Sequence, residues 1–87
     1  MVEKEFCIIN EHGLHARPAS LFCDIASKFK SKVKVFHNAT KADGKSAISI
    51  LILEVYPGSN IKVKIDGPDE EAAMEALSKL IDSNFNL

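Results

Sequence analysis

Apolar and polar residues alternate most cleanly over residues 60–66, NIKVKID, where Ile61, Val63 and Ile65 interleave with Lys62, Lys64 and Asp66. A period of two is that of a strand with one dry face and one wet face. Residues 32–37, KVKVFH, repeat the alternation with Val33 and Val35 inward, and residues 3–9, EKEFCII, supply a third strand with Phe6 and Ile8 inward. One-sided alternation suits an antiparallel sheet, because parallel strands are usually buried on both faces. Two other segments carry the helical period. Over residues 69–83, Ala73, Ala76, Leu77, Leu80 and Ile81 make one apolar stripe, with Asp69 as the predicted N-cap and Glu70 and Glu71 in the first turn. Residues 16–29 place Ala19, Phe22, Cys23, Ala26 and Phe29 on a similar stripe, and Lys28 and Lys30 suit the negative end of that helix.

Residues 46–55, SAISILILEV, read two ways. Their isoleucine content favours a strand, yet Ser46 after the Asp43-Gly44 turn is a good N-cap, and Ala47, Ile50 and Leu51 fall on one helical face. Periodicity alone does not decide between them. Pro57-Gly58 ends the segment as a turn. The order is strand, helix, strand, an ambiguous stretch, strand, helix, which packs as a two-layer α+β fold with the helices on one side of the sheet. No linker, repeat or low-complexity tract breaks the 87 residues, so one domain over 1–87 is expected.

Composition narrows the function more by exclusion than by suggestion. The apolar share of 46% is ordinary for a globular chain, and no apolar run approaches the roughly 18 residues of a spanning helix, so no membrane insertion is expected. MVEKEF lacks an apolar stretch behind basic residues, so no export signal is read and a cytoplasmic location is expected. A net charge of −1 argues against nucleic acid as the main partner. Cys7 and Cys23 sit in apolar surroundings and read as small buried hydrophobes with reduced thiols, too few and too far apart for a metal site. ADGKSA ends like a phosphate-binding loop, but its required first glycine falls at Ala39 and the motif is broken.

The chemistry concentrates in residues 13–20, GLHARPAS. His15 and Arg17 lie where a helix begins, although helix N-termini disfavour positive charge, so a negative partner is missing. The first-turn amides have no intrahelical acceptor and form a ready anion site. Arg17 adds a planar donor fork suited to phosphate, Pro18 is tolerated in the first turn, and Gly13 allows a sharp turn. A neutral imidazole is a good nucleophile near pH 7, where the free side chain with its pKa near 6.5 is mostly unprotonated. The best fit is a phosphoryl group carried on His15. A histidine at a loop–helix junction with an arginine nearby by chance remains open on these residues alone. His12, close to the site in sequence, and His37, on a strand face, lack that context, and both read as structural residues.

GLHARPA at Gly13–Ala19 resembles the active-site signature of the HPr family, the histidine-containing phosphocarriers of the bacterial phosphotransferase system. The chain length, the position of the histidine, Lys45-Ser46 and GPDEEAAMEAL before the last helix extend the resemblance over essentially the whole chain. It implies an open-faced βαββαβα sandwich: a four-stranded antiparallel sheet with three helices on one face. That places a short strand near Thr40–Asp43 and a short helix from Ser46. It also implies the reaction, in which enzyme I, charged from phosphoenolpyruvate, phosphorylates Nδ1 of His15 and an enzyme IIA domain collects the group for sugar transport. Arg17 and the amides of Ala16 and Arg17 match the phosphate-binding groups, and Ala16, Ser20, Ala47, Ile48 and Leu51 match the docking surface. Ser46 matches the target of the HPr kinase/phosphorylase, although its role as a helix N-cap explains it equally. The carrier is expected to be a monomer with no metal or cofactor, and not an enzyme with a substrate of its own. Asp24, Ile52 and Glu54 depart from the sugar-transport members and lean toward the nitrogen-related regulatory branch.

Overall fold

The computed structural model describes residues 1–9 and 13–86. Four strands, β1 (Val2–Ile8), β2 (Lys32–His37), β3 (Thr40–Asp43) and β4 (Ser59–Asp66), form one sheet in the order β1-β4-β2-β3. Each neighbouring pair is antiparallel. Helices α1 (Ala16–Ala26), α2 (Ala47–Ile52) and α3 (Glu70–Asp82) complete the βαββαβα order, and a short 3-10 turn follows at Asn84–Asn86.

The alternation seen in the sequence becomes register. Phe6 lies opposite Ile61, Val35 opposite Val63 and Val33 opposite Ile65. These side chains share one core with Phe22 of α1, Ile50 of α2 and Leu77 of α3. Burying a side chain of this size contributes about 1.5–3 kcal/mol, so the shared core is what binds the two layers. The opposite face of the sheet is wet. There Lys34 lies across from Lys64, and Glu3 reaches Lys64 at 3.8 Å and Lys62 at 4.0 Å. Such exposed pairs add little to stability.

The ambiguous middle segment is a helix. Ser46 has extended backbone, and its hydroxyl accepts the Ser49 N–H at 3.3 Å, a side-chain cap that a strand would not have. Ile50 points inward and is fully buried, Ala47 is half-buried, and Leu51 is partly exposed. Tertiary burial of Ile50 and Leu53 therefore overrides the strand propensity of the isoleucines.

Several expectations are corrected. Helix α1 stops at Ala26 because Lys28 and Phe29 donate to Ile25 and Ala26 through three-residue bonds that tighten and end it; Lys28 and Lys30 lie beyond its last turn. Cys7 is exposed, not buried: with Phe6 and Ile8 inward, strand parity sends position 7 outward. Cys23 is half-buried, its thiol donating to the Lys45 carbonyl at 2.8 Å. Phe85 is an addition to the core. It is fully buried in a turn where Asn84 and Phe85 both have positive φ, a conformation that no helical period announces.

Asp69 precedes α3 as expected, but its carboxylate does not cap that helix. It accepts instead from the backbone of Lys30 and Ser31, each at 2.9 Å, and from the Ser31 hydroxyl. The Asp69 amide returns a bond to that hydroxyl at 3.2 Å. Asp69 therefore staples the α1–β2 connection to the start of α3. The Ser31 hydroxyl above all, then the Lys30 amide, holds its carboxyl down at about 2.

The segment entering α1 is held by backbone. Leu14 is buried and donates its amide to the Val55 carbonyl at 3.0 Å. Gly13 has φ +58, and a Cβ there would stand 2.2 Å from the Val55 oxygen. Only glycine fits.

Two outcomes follow. Because the folded-state pKa of Asp69 is depressed, its stabilisation is present above the unfolded value near 3.9 and is lost as pH falls toward 2. Asp69→Asn should therefore lower the melting temperature at pH 7 and narrow the difference between pH 7 and pH 2.5, read by thermal melts across that range. Gly13→Ala should destabilise by at least about 1–2 kcal/mol, since positive φ and the clash with Val55 act together. Urea unfolding measures it, and a loss below that range would show that the 13–14 segment shifts freely.

Candidate functional site

The turn just described delivers the chain to His15, the N-cap of α1. Its backbone is extended at φ −83 and ψ −164, and its carbonyl accepts the Ala19 amide at 2.9 Å to start the helix. Pro18 is buried and has no N–H to leave unpaired. The first-turn amides without an intrahelical acceptor are thus those of Ala16 and Arg17, directly after the imidazole. The His15 side chain makes no capping bond and is exposed, so its ring is open to a reaction partner.

Arg17 is also exposed, and no carboxylate pairs with it among the described residues. Among the described residues, a guanidinium without a carboxylate partner beside the Ala16 and Arg17 amides makes a local positive field. Asp and Glu are absent from the first turn of α1, where they would otherwise compete for that field. The arrangement can bind an anionic oxygen cluster attached to the ring, and it can stabilise the negative charge that a phosphoryl group brings. Among the described residues, no second acid or base side chain is hydrogen-bonded to the imidazole. The chemistry available is attack by a ring nitrogen and retention of what it captures.

Helices α1 and α2 pack against each other. This brings the predicted surface together: Ala16 and Ser20 are exposed on α1, and Ala47, Ile48 and Leu51 lie on α2. Ile48 is 71% exposed and Leu51 38%, so the patch is apolar and open. Ser46 stands at the start of α2 beside them, its hydroxyl engaged as the cap.

Two exposed residues beside this surface escape the sequence reading of the site. Ile52, four residues after Ile48 and on the same helical face, is 68% exposed. Tyr56 is 56% exposed, and its ring lies 6.0 Å from the His15 imidazole with a 52° tilt. The spacing of Ile48 and Ile52 could have revealed the first; no local pattern reveals the second, which is brought in by the turn at Pro57-Gly58. His12 lies outside the described residues. His37 is half-buried, and its Nδ1 is 3.1 Å from the Leu53 carbonyl, a bond that ties β2 to the end of α2. That is a structural role, as its strand position suggests.

Comparison with known proteins agrees with this geometry. The family model for the PTS HPr component phosphorylation site matches residues 2–83. The phosphocarrier protein HPr of Cupriavidus necator is 39% identical over 85 residues, covering 98% of this chain and 96% of its own. That of Neisseria meningitidis is 41% identical with the same coverage. The crystal structure of HPr-C-His from Thermoanaerobacter tengcongensis superposes with a TM-score of 0.96 at 44% identity, covering 100% of this chain and 98% of that one. A whole-chain match in sequence and fold, centred on an exposed histidine at a helix start, places this chain in the HPr family: it is a phosphocarrier of the phosphotransferase system, a carrier of phosphoryl groups rather than an enzyme.

Proposed function

We propose that His15 is the phosphoryl acceptor, that enzyme I charged from phosphoenolpyruvate is its donor, and that an enzyme IIA domain is its recipient. The observation that carries this reading is the exposed N-cap imidazole followed by the first-turn amides of Ala16 and Arg17 and a guanidinium with no carboxylate partner among the described residues. The Nδ1 lone pair attacks phosphorus, forming the new P–N bond as the bond to the donor breaks and its electron pair leaves with the donor. Nδ1 is the ring nitrogen nearer the backbone, so a group on it can lie over the first-turn amides. Those amides and Arg17 stabilise the added charge without a general base. A P–N bond keeps a high transfer potential, which suits a group that must be handed on.

Partners dock on Ala16, Ser20, Ala47, Ile48 and Leu51, and Ile52 extends the same apolar face. A shallow patch of this kind suits brief encounters with successive partners. The chain acts as one monomeric domain over residues 1–87, in the cytoplasm, without metal or cofactor. No helix among the described residues is long and apolar enough to cross a membrane. The relatives named as HPr favour the sugar-transport branch. Glu54 supports the nitrogen-related alternative, since it occupies a positive-φ site at +53 where small residues are common in the sugar-transport members. Relative rates with an enzyme I from each branch separate the two.

The central test is phosphorylation by enzyme I and phosphoenolpyruvate, followed by intact mass and mapping of the modified residue. The parent should gain one acid-labile phosphoryl group on His15, and His15→Ala should gain none. Arg17→Ala should slow transfer by about 10- to 100-fold without abolishing it, less than the loss of a buried oxyanion donor because this site is open to water. A phosphoryl group on another residue overturns the reading.

Ser46 is proposed as the regulatory target of an HPr kinase. Phosphate is tolerated at a helix start, but charge beside Ala47 and Ile48 opposes docking of an apolar partner face. Ser46→Ala should cost about 1 kcal/mol of stability through loss of the cap, with transfer unchanged. Ser46→Asp should keep the cap and slow transfer from enzyme I. Equal transfer rates in the parent and Ser46→Asp would leave only the capping role.

A further inference from the structure

Among the described residues, little holds the His15 imidazole. It makes no capping hydrogen bond, and its aromatic neighbour among the described residues is Tyr56. An exposed histidine has three staggered χ1 wells and about two orientations of χ2, giving roughly six ring poses. One kind of pose is productive, with the acceptor nitrogen facing the incoming phosphorus and the amides of Ala16 and Arg17 positioned to receive its oxygens. A ring free to sample all of them would be competent about one-sixth of the time, and its reactivity would fall by that fraction.

Tyr56 is placed to remove this freedom. Its backbone is pinned on both sides. The preceding Val55 is fully buried and accepts the Leu14 amide, while the Tyr56 carbonyl accepts the Ser59 amide at 3.1 Å. The turn is closed by the Gly58 amide on the Ile8 carbonyl. The ring itself is more than half exposed, so it does little for the core. Its ring lies beside the imidazole, at a centroid distance and tilt within the range of favourable aromatic pairs. The Leu14–Val55 bond that fixes the backbone beneath Tyr56 also fixes the residue before His15, so the two rings are held relative to each other from below.

We propose that Tyr56 is a positioning residue for phosphoryl acceptance, its ring excluding the His15 poses that turn the acceptor nitrogen away from the Ala16 and Arg17 amides. This rests on His15 being the acceptor. Tyr56 acts through the imidazole and takes no part in bond making. Because the ring face supplies the wall, the phenol oxygen is dispensable, and phenylalanine should serve as well.

The test combines NMR and kinetics on the intact chain. Three-bond couplings across χ1 of His15 should report one dominant rotamer in the parent and in Tyr56→Phe, and averaged rotamers in Tyr56→Leu. With each protein as substrate for enzyme I, kcat for Tyr56→Leu should fall by up to about six-fold at unchanged KM, and Tyr56→Phe should restore it. Tyr56→Gln provides a second ringless variant, compared at matched melting temperature. A raised KM with unaltered kcat and couplings would overturn the proposal and make Tyr56 a partner contact. A single His15 rotamer in both ringless variants would overturn it too. A parent that gains no phosphate on His15 would instead overturn the function proposed above, whatever the couplings show, and this role with it.

Discussion

Leu14 gives its amide to the Val55 carbonyl and its side chain to the core, and Gly13 brings its backbone so close to that carbonyl that a methyl group would not fit. This contact joins the segment entering α1 to the segment leaving α2. A buried backbone bond is costly to break, about 1–3 kcal/mol for a donor left unsatisfied, so neither segment drifts alone. The direction in which His15 leaves the turn, the approach of α2 to α1 and the placement of Tyr56 all descend from it. A site built on short polar side chains would need many bonds to reach the same definition. Here main chain does it.

The fold was legible wherever the sequence had to choose a face. Strands β2 and β4 follow from Val33, Val35, Ile61, Val63 and Ile65, because a slip of one residue would expose every one of them. The same parity argument puts Cys7 outside, and it was overridden only by reading the residue for its chemistry instead of its register. Asp69 was legible as a position but not as a bond: its partners, Lys30 and Ser31, are distant in sequence, and local capping rules cannot see them. Phe85 was illegible for a related reason, since it enters the core through left-handed backbone after the periodic helix has ended.

The site divides along the same line. His15, Ala16, Arg17 and Pro18 are neighbours in sequence, and a helix start has fixed physics, so their placement together can be read directly. The apolar part of the surface comes from two helices that meet only in the fold, and Tyr56 comes from a third segment. An exposed apolar residue has no period to betray it. Its meaning appears when other exposed apolar residues stand beside it around one exposed imidazole.

Strand order separates a local pairing from a distant one. Strands β2 and β3 are joined by a tight turn and can pair at once, with Asn38 in the left-handed region that such a turn uses. Strand β1 pairs only with β4, and Ile8 meets Ser59 across about fifty residues of chain. Closing a loop of that length costs more chain entropy than the local β2–β3 turn, and the partner of β1 in the sheet is β4. The Ile8 carbonyl also closes the turn beneath Tyr56 through the Gly58 amide. The turn that frames His15 therefore depends on a long-range pairing at the sheet edge, so loosening β1 would loosen the frame of His15 as well.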